Sequence, residues 1–386
     1  MIGGPARVLF VLAVAVAANA ATASDRFVPA DPDFVVANVR QATPDAELRR
    51  LIESWRASPV DEASAALARA FLERAHSQRE PMYFGRAEAV LAVAARRAGA
   101  SPQTRRLWAQ TLQYRHEFTP AERLLDDILR QSPLDAAARI QRASVRLVRG
   151  DFAGARADCA QLMASGASRA VALACLAESL GGSGRLEQAG ALLAAYPLTT
   201  AEPPAARAYF LTVRAELAER AHAPERAIAD YRAALALAPL DDSLRASLAD
   251  ALVARGKLAE ADVLLKIERP SLALVVRRAG CTRGVERDRL HALAGSWLDL
   301  EAARGDALHN REAAMLALQD GDAVRALAAA EKNFGSQKEL PDVRVLARAA
   351  IAAGDLVARA RLAEWVRTTG FADAVTEEIL GIRRGG

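Results

Sequence analysis

The sequence predicts an all-α fold, a solenoid assembled from repeated helical units. Hydrophobic residues make up 52% of the 386 residues, but aromatic residues only 5%. No stretch alternates β-branched with polar residues as a half-buried strand does. The third observation is a period. Segments of the form A-x3-[LYC] open an apolar helix at Ala87, Ala121, Ala155 and Ala189, in steps of 34 residues, and twelve residues ahead of each stands another alanine: Ala75, Ala109, Ala143 and Ala177. After a four-residue slip the ruler resumes at Ala215/Ala227 and Ala249/Ala261, and again at Ala314/Ala326. Ala360 lies a further 34 residues on, with Arg348 in its partner's place. A chain of this length would ordinarily suggest two or three domains; a fixed period instead suggests one array in which each unit touches only its neighbours.

The pattern resembles the tetratricopeptide repeat family, in which small residues at repeat positions 8 and 20 let two antiparallel helices approach closely. The resemblance implies a right-handed α-solenoid of stacked antiparallel helix pairs. Counted from Ala208, the repeat containing ERAIADYRAALALAP has Ala215 at position 8, Ala227 at 20, Tyr231 at 24, Ala234 at 27 and Pro239 at 32. Pro133 takes position 32 of an earlier repeat. Gly150, Gly184, Gly256 and Gly321 fall in the turn within a pair, where a helix end favours left-handed φ. The aromatic residue usual at position 11 is mostly absent, so single repeats are degenerate. Repeats are expected at 68–101, 102–135, 136–169 and 170–203, then at 208–241 and 242–275, and finally at 307–340 and 341–374. Between 276 and 306 the phase is lost, although Glu286 to Arg304 still reads as a helix. Residues 375–386 are expected to form a tail.

The N-terminus reads as a secretory signal peptide over residues 1–23. Arg7 precedes an apolar run from Val8 to Ala18, and A-x-A spacing permits cleavage after Ala20 or Ala23. A run of about eleven apolar residues is short for a membrane span, so export to the periplasm or medium is expected rather than stable insertion. Residues 24–67 form a Pro-rich leader and then a capping helix from about Asp45 to Arg56. Lysine plus arginine number 51 against 47 acidic residues, a net charge of +4. The two signs are interspersed, unlike the basic stripe of a nucleic-acid binder.

Catalytic chemistry finds little footing. None of the five histidines pairs with another at helical spacing, no C-x-x-C or H-E-x-x-H is present, and GGSGR (181–185) falls between two repeat helices. No enzyme activity, cofactor or metal is therefore expected. The resemblance implies instead a concave groove that takes a peptide or partner protein. By register the groove would carry Arg69, His76, Arg79, Arg106 and Gln110 toward its N-terminal end, then Glu178, Tyr209, Glu216, Glu219 and Asp250. A solvated charged face with no ligand is the alternative for these residues. The family's Lys/Asn clamp for a peptide C-terminus is not reproduced. The expected role is a scaffold, assembly factor or chaperone-like adaptor of the bacterial envelope. A glycan-acting envelope enzyme with an unrecognised site and a signal-anchored accessory of a membrane complex are the alternatives.

Cys159 and Cys175 fall on adjacent antiparallel helices in the register that the resemblance implies. In an oxidising compartment they would form a disulfide; otherwise they are two buried thiols in small-residue positions. Cys281, in RRAGCTRG, would remain a lone thiol.

Overall fold

The ruler alanines are where the helices touch. Ala75 is 4% exposed, and the remaining thirteen, from Ala87 to Ala326, are fully buried. The computed structural model describes residues 45–77, 80, 82–97, 99–305 and 308–382. The signal segment, the leader before Asp45, and Arg79 lie outside these residues. The chain divides into Met1–Asp45, of which only Asp45 is described, and Ala46–Gly386.

Among the described residues the secondary structure is helical throughout. Helix α1 (Ala46–Ala57) packs on the first pair, α2 (Asp61–Ser77) with α3 (Met82–Ala94). Next come α4 (Pro102–Tyr114) with α5 (Phe118–Gln131), α6 (Ala136–Arg149) with α7 (Phe152–Leu162), and α8 (Arg169–Gly182) with α9 (Leu186–Ala194). The series continues with α10 (Pro204–Arg220) and α11 (Pro224–Leu237), α12 (Asp242–Ala254) and α13 (Leu258–Leu265), and α14 (Leu272–Cys281) and α15 (Gly284–Ala303). It ends with α16 (Asn310–Asp320) and α17 (Ala323–Ser336), α18 (Leu340–Ala352) and α19 (Leu356–Thr369), and the short α20 (Ala374–Leu380). The result is an all-α solenoid of stacked helix pairs.

Local signals set the helix ends. Ser101 accepts from the backbone N–H of Thr104, and Pro102 opens α4. Asp135, Asp151, Asp241, Asp322 and Asp355 cap α6, α7, α12, α17 and α19 in the same way, each satisfying a backbone donor that the helix itself leaves unpaired. In the α4–α5 turn the left-handed position is held by His116 (φ 57°), an uncommon conformation outside glycine.

Three expectations need correction. Ala358, at 3% exposure, and not the exposed Ala360, meets the core of the last pair, so the ruler runs two residues short there. Helix α14 begins at Leu272, four residues before the expected loss of phase, and α15 runs for 20 residues. The expected tail carries α20, anchored by the buried Thr376 and Leu380 and capped by Asp373.

Cys159 on α7 and Cys175 on α8 are joined in a disulfide with their Cα atoms 5.4 Å apart. Cys281 is a free thiol, half-buried against the core around α12 and α13. Burial first, then the charges of Asp262 and Asp250, push its pKa up to about 11. A thiol with so high a pKa carries little thiolate at neutral pH.

The disulfide closes a loop of 16 residues, a constraint worth about 3 kcal/mol on the chain-entropy scale. Replacing both cysteines by alanine should lower the urea midpoint by the corresponding amount, and dithiothreitol should lower the wild type to the level of the variant. A reductant with no effect on the unfolding curve would show that the bond contributes nothing to stability.

Candidate functional site

The C-terminal pair does not continue the stack into solvent. It folds back onto the carboxyl ends of earlier first helices. One apolar cluster joins Leu147, Phe152 and Ala155 to Val343, Leu346, Leu362, Val366 and Phe371. Lys338 N–H donates to Val148 O at 2.7 Å. Gly184 lies so close to Gly370 that a Cβ there would collide with the Gly370 carbonyl.

Polar groups complete this seal. Arg344 on α18 donates to both oxygens of Asp373 (2.7 and 3.0 Å) and to Glu219 on α10 (2.7 Å). The Tyr231 hydroxyl donates to the other oxygen of Glu219 at 2.7 Å. Arg220 donates to Ala372 O at 3.0 Å, with its guanidinium 4.5 Å from the centre of the Phe371 ring. Tyr209 donates to Glu178 at 2.6 Å. Burial pushes the Glu178 carboxyl up to about 7, against the opposing Tyr209 bond. Burial, joined by the Glu178 charge, raises Glu216 to about 8. Burial acts the same way on Asp373, but the Arg344 bonds outweigh it and hold its pKa below the usual range.

The expectation of an acidic mid-groove open to a partner is thereby corrected. Glu219 is bound to the chain's own Arg344. Asp250 is likewise committed, accepting from Arg277 at 3.0 Å and tying α12 to α14. Arg106 pairs with Asp135, the cap of α6, so the basic end of the expected groove is neutralised there. Arg69 is exposed on α2. Gln110 borders a cavity of about 250 Å³ with Gln113, Tyr114, Ile140, Gln141 and Ser144.

What remains open is a larger cavity of about 1590 Å³ between the first pair and the pairs from α12 to α16. Its walls come from the end of α2 (Glu73, His76), from Phe84 on α3, from the turn Pro239–Asp242, from Arg269–Leu272, from the end of α15 (Trp297, Leu300, Glu301, Arg304), and from His309. Arg269 bonds Glu80 across 189 residues of sequence at 2.8 Å, holding the two sides together. Leu240 and Leu300 are 47% and 50% exposed. His76 packs edge-on against Phe84 with ring centres 5.4 Å apart and contacts the Tyr114 hydroxyl. Burial lowers its pKa, against the opposing charge of Asp241. Glu301 accepts from the His309 ring (2.5 Å) and backbone (2.9 Å). Those bonds hold its carboxyl below the usual range although burial works against them.

Of the expected groove residues that are described, only His76 lines this cavity. Trp297, Glu301 and Arg304 were missed because the 276–306 segment carries no readable register. Among the described residues no group of three or more histidine, cysteine or acidic side chains is arranged to hold a metal ion.

Helix pairs at a 34-residue period, meeting through buried alanines, define a solenoid of the tetratricopeptide type. No protein-family model and no curated protein matches the chain. Similar solved structures include a thermophilic tetratricopeptide repeat protein of Thermus thermophilus, 23% identical over 47% of this chain and 98% of its own (TM-score 0.41). A tetratricopeptide repeat protein of Parabacteroides merdae is 14% identical over 73% and 98% (TM-score 0.37). Human IFIT1, solved as a dimer with a capped RNA, is 12% identical over 87% and 84% (TM-score 0.48). These likenesses concern the fold alone.

Arg344→Ala should cost about 3–5 kcal/mol in urea unfolding, because it leaves the buried Asp373 and the largely buried Glu219 carboxylates without their compensating guanidinium. The seal should also respond to pH. Raised folded pKa values on Glu178 and Glu216 mean that the native state holds protons the unfolded chain has released. Their contribution is complete below the unfolded value of 4.5 and is lost as pH rises through 7 to 8. Asp373 acts oppositely, losing its contribution as pH falls below the ordinary aspartate range. The urea midpoint should therefore fall between pH 6 and pH 9, and Glu178→Gln with Glu216→Gln should flatten that slope.

Proposed function

We propose that the protein is a non-enzymatic interaction module of the bacterial envelope that takes a peptide segment of a partner protein into the 1590 Å³ lumen. The observation that carries this reading is the division of labour inside the solenoid. One part of the inner surface is sealed by the chain's own α18–α20, while another is left open and lined by Phe84, Leu240, Trp297 and Leu300. Pockets for small ligands run to about 300–1,000 Å³; this one suits a longer, irregular occupant. Half-exposed leucines beside carboxylates and guanidiniums are the mix of apolar anchor and polar rim that a protein partner uses.

Export is part of the proposal. The N-terminal signal pattern supports it, and so does the Cys159–Cys175 disulfide, since such bonds persist in oxidising compartments. Among the described residues no helix is long and apolar enough to cross a membrane.

A photo-crosslinking residue at Leu300, inside the lumen, should capture a partner in living cells. The same residue at Val263, 74% exposed on α13 and outside the lumen, should not. Equal capture from both sites would remove the lumen from the reading. Edman sequencing of the purified protein should begin after Ala20 or Ala23, and an N-terminus at Met1 would contradict export with cleavage.

A further inference from the structure

The chemistry of the lumen wall narrows what it would hold. Among the described residues, the carboxylates Glu73, Asp241, Asp242 and Glu301 line the cavity together with the guanidiniums Arg269 and Arg304. Arg269 is already compensated by Glu80 at 2.8 Å, and among the described lining residues Glu73 and Asp241 alone outnumber the remaining guanidinium, Arg304. The chain as a whole carries +4, so this excess is a local departure and not a reflection of composition. Local duties do not cancel it. Asp241 accepts a bond from the Leu244 N–H, a neutral donor that leaves the carboxylate its charge, while Glu301 is paired with the His309 ring. Glu73 is exposed and forms no ion pair among the described residues. The field of Asp241 reaches the far wall, where it acts on both His76 and Tyr114. Phe84 and Trp297 also line the cavity, and an aromatic ring face favours a cation as well as apolar contact.

We propose that the lumen selects peptide segments in which lysine or arginine alternates with aliphatic or aromatic residues, and rejects acidic ones. The apolar residues would seat against Leu240, Trp297 and Leu300, and the cationic side chains would meet Glu73 and Asp241. This inference rests on the reading of the lumen as a peptide site, and the two can fail separately.

The test measures binding of three fluorescein-labelled nonapeptides to the purified full chain by anisotropy: alternating Leu and Lys, Leu and Ser, and Leu and Glu. The Leu/Lys peptide should bind about tenfold or more tighter than Leu/Ser, and its affinity should fall with added salt, as electrostatic recognition requires. Glu73→Lys should weaken it several-fold without altering Leu/Ser binding. Trp297→Ala should weaken both peptides. Equal or tighter binding of Leu/Ser or Leu/Glu, still dependent on Trp297, would overturn the selectivity and leave the lumen as a peptide site. Leu/Lys binding indifferent to both substitutions would mark general surface attraction and overturn the proposal. No binding of any peptide would overturn the reading on which it rests.

Discussion

The close approach of paired helices through alanine methyl groups is the constraint on which the rest of the molecule depends. Helices packed face to face sit about 8–10 Å apart, and the side chain at the crossing sets where in that range they fall. Fully buried alanine at Ala109/Ala121, Ala143/Ala155 and Ala177/Ala189 fixes the short end, repeat after repeat. The same residue is also the best helix former, so local preference and packing agree at the points of contact. The consequence is a thin interior. A pair built on alanine buries little area by itself, and stability accrues from stacking. That is why a bond such as Cys159–Cys175, which spans the seam between two pairs, belongs where it is.

A stack of this kind has two ends and an inner face to satisfy. Here the chain satisfies much of that inner face itself. The apolar part of the seal is Phe152, Trp365 and Phe371, with ring centres 5.2–6.4 Å apart, and it supplies the driving force. The ionised part, Arg344 between Asp373 and Glu219, contributes less net energy than its geometry suggests, because desolvating charges offsets most of their attraction. Its effect is orientation, since α18 fits only where one guanidinium can reach two carboxylates on different helices. Glu178 and Glu216 show the cost side of the same arrangement. They face each other in the sealed region with too few cations to keep both ionised cheaply, which gives the closure its expected weakness at alkaline pH.

Much of the array was legible because its determinants are local and repeated. The ruler alanines and the left-handed glycines Gly150 and Gly321 are short-range features read directly from spacing, and the cysteine register follows from the resemblance they carry. Closure was not legible. The rotation from one pair to the next is small, and no single repeat encodes how far the stack has turned after six of them. The contact of Glu219 with Arg344 would have required that sum, as would Arg269 meeting Glu80. The failure at Ala360 has the same origin: the last pair is held by Phe152 and Val148 of an earlier repeat as well as by its own neighbour, and its register shifts to Ala358 to suit that second surface.

The place where the period breaks is also the place where the lumen lies. Helix α14 is cut to ten residues and α15 extended to 20, and the end of α15 supplies Trp297, Leu300, Glu301 and Arg304 to the cavity wall. A regular pair in this position would present a short second helix ending near the stack. The longer α15 instead carries its last turn out to face α2 and Phe84. Exposed leucine at Leu300 has no structural return in a repeat whose own core is Leu290 and Ala294, and local rules are broken most often where a site is built. The irregular pair therefore explains two features at once. It ends the readable register, and it furnishes the wall of the lumen, among the described residues, that carries Trp297, Leu300, Glu301 and Arg304, with Glu301 accepting from the Leu308 and His309 backbone N–H groups and from the His309 ring.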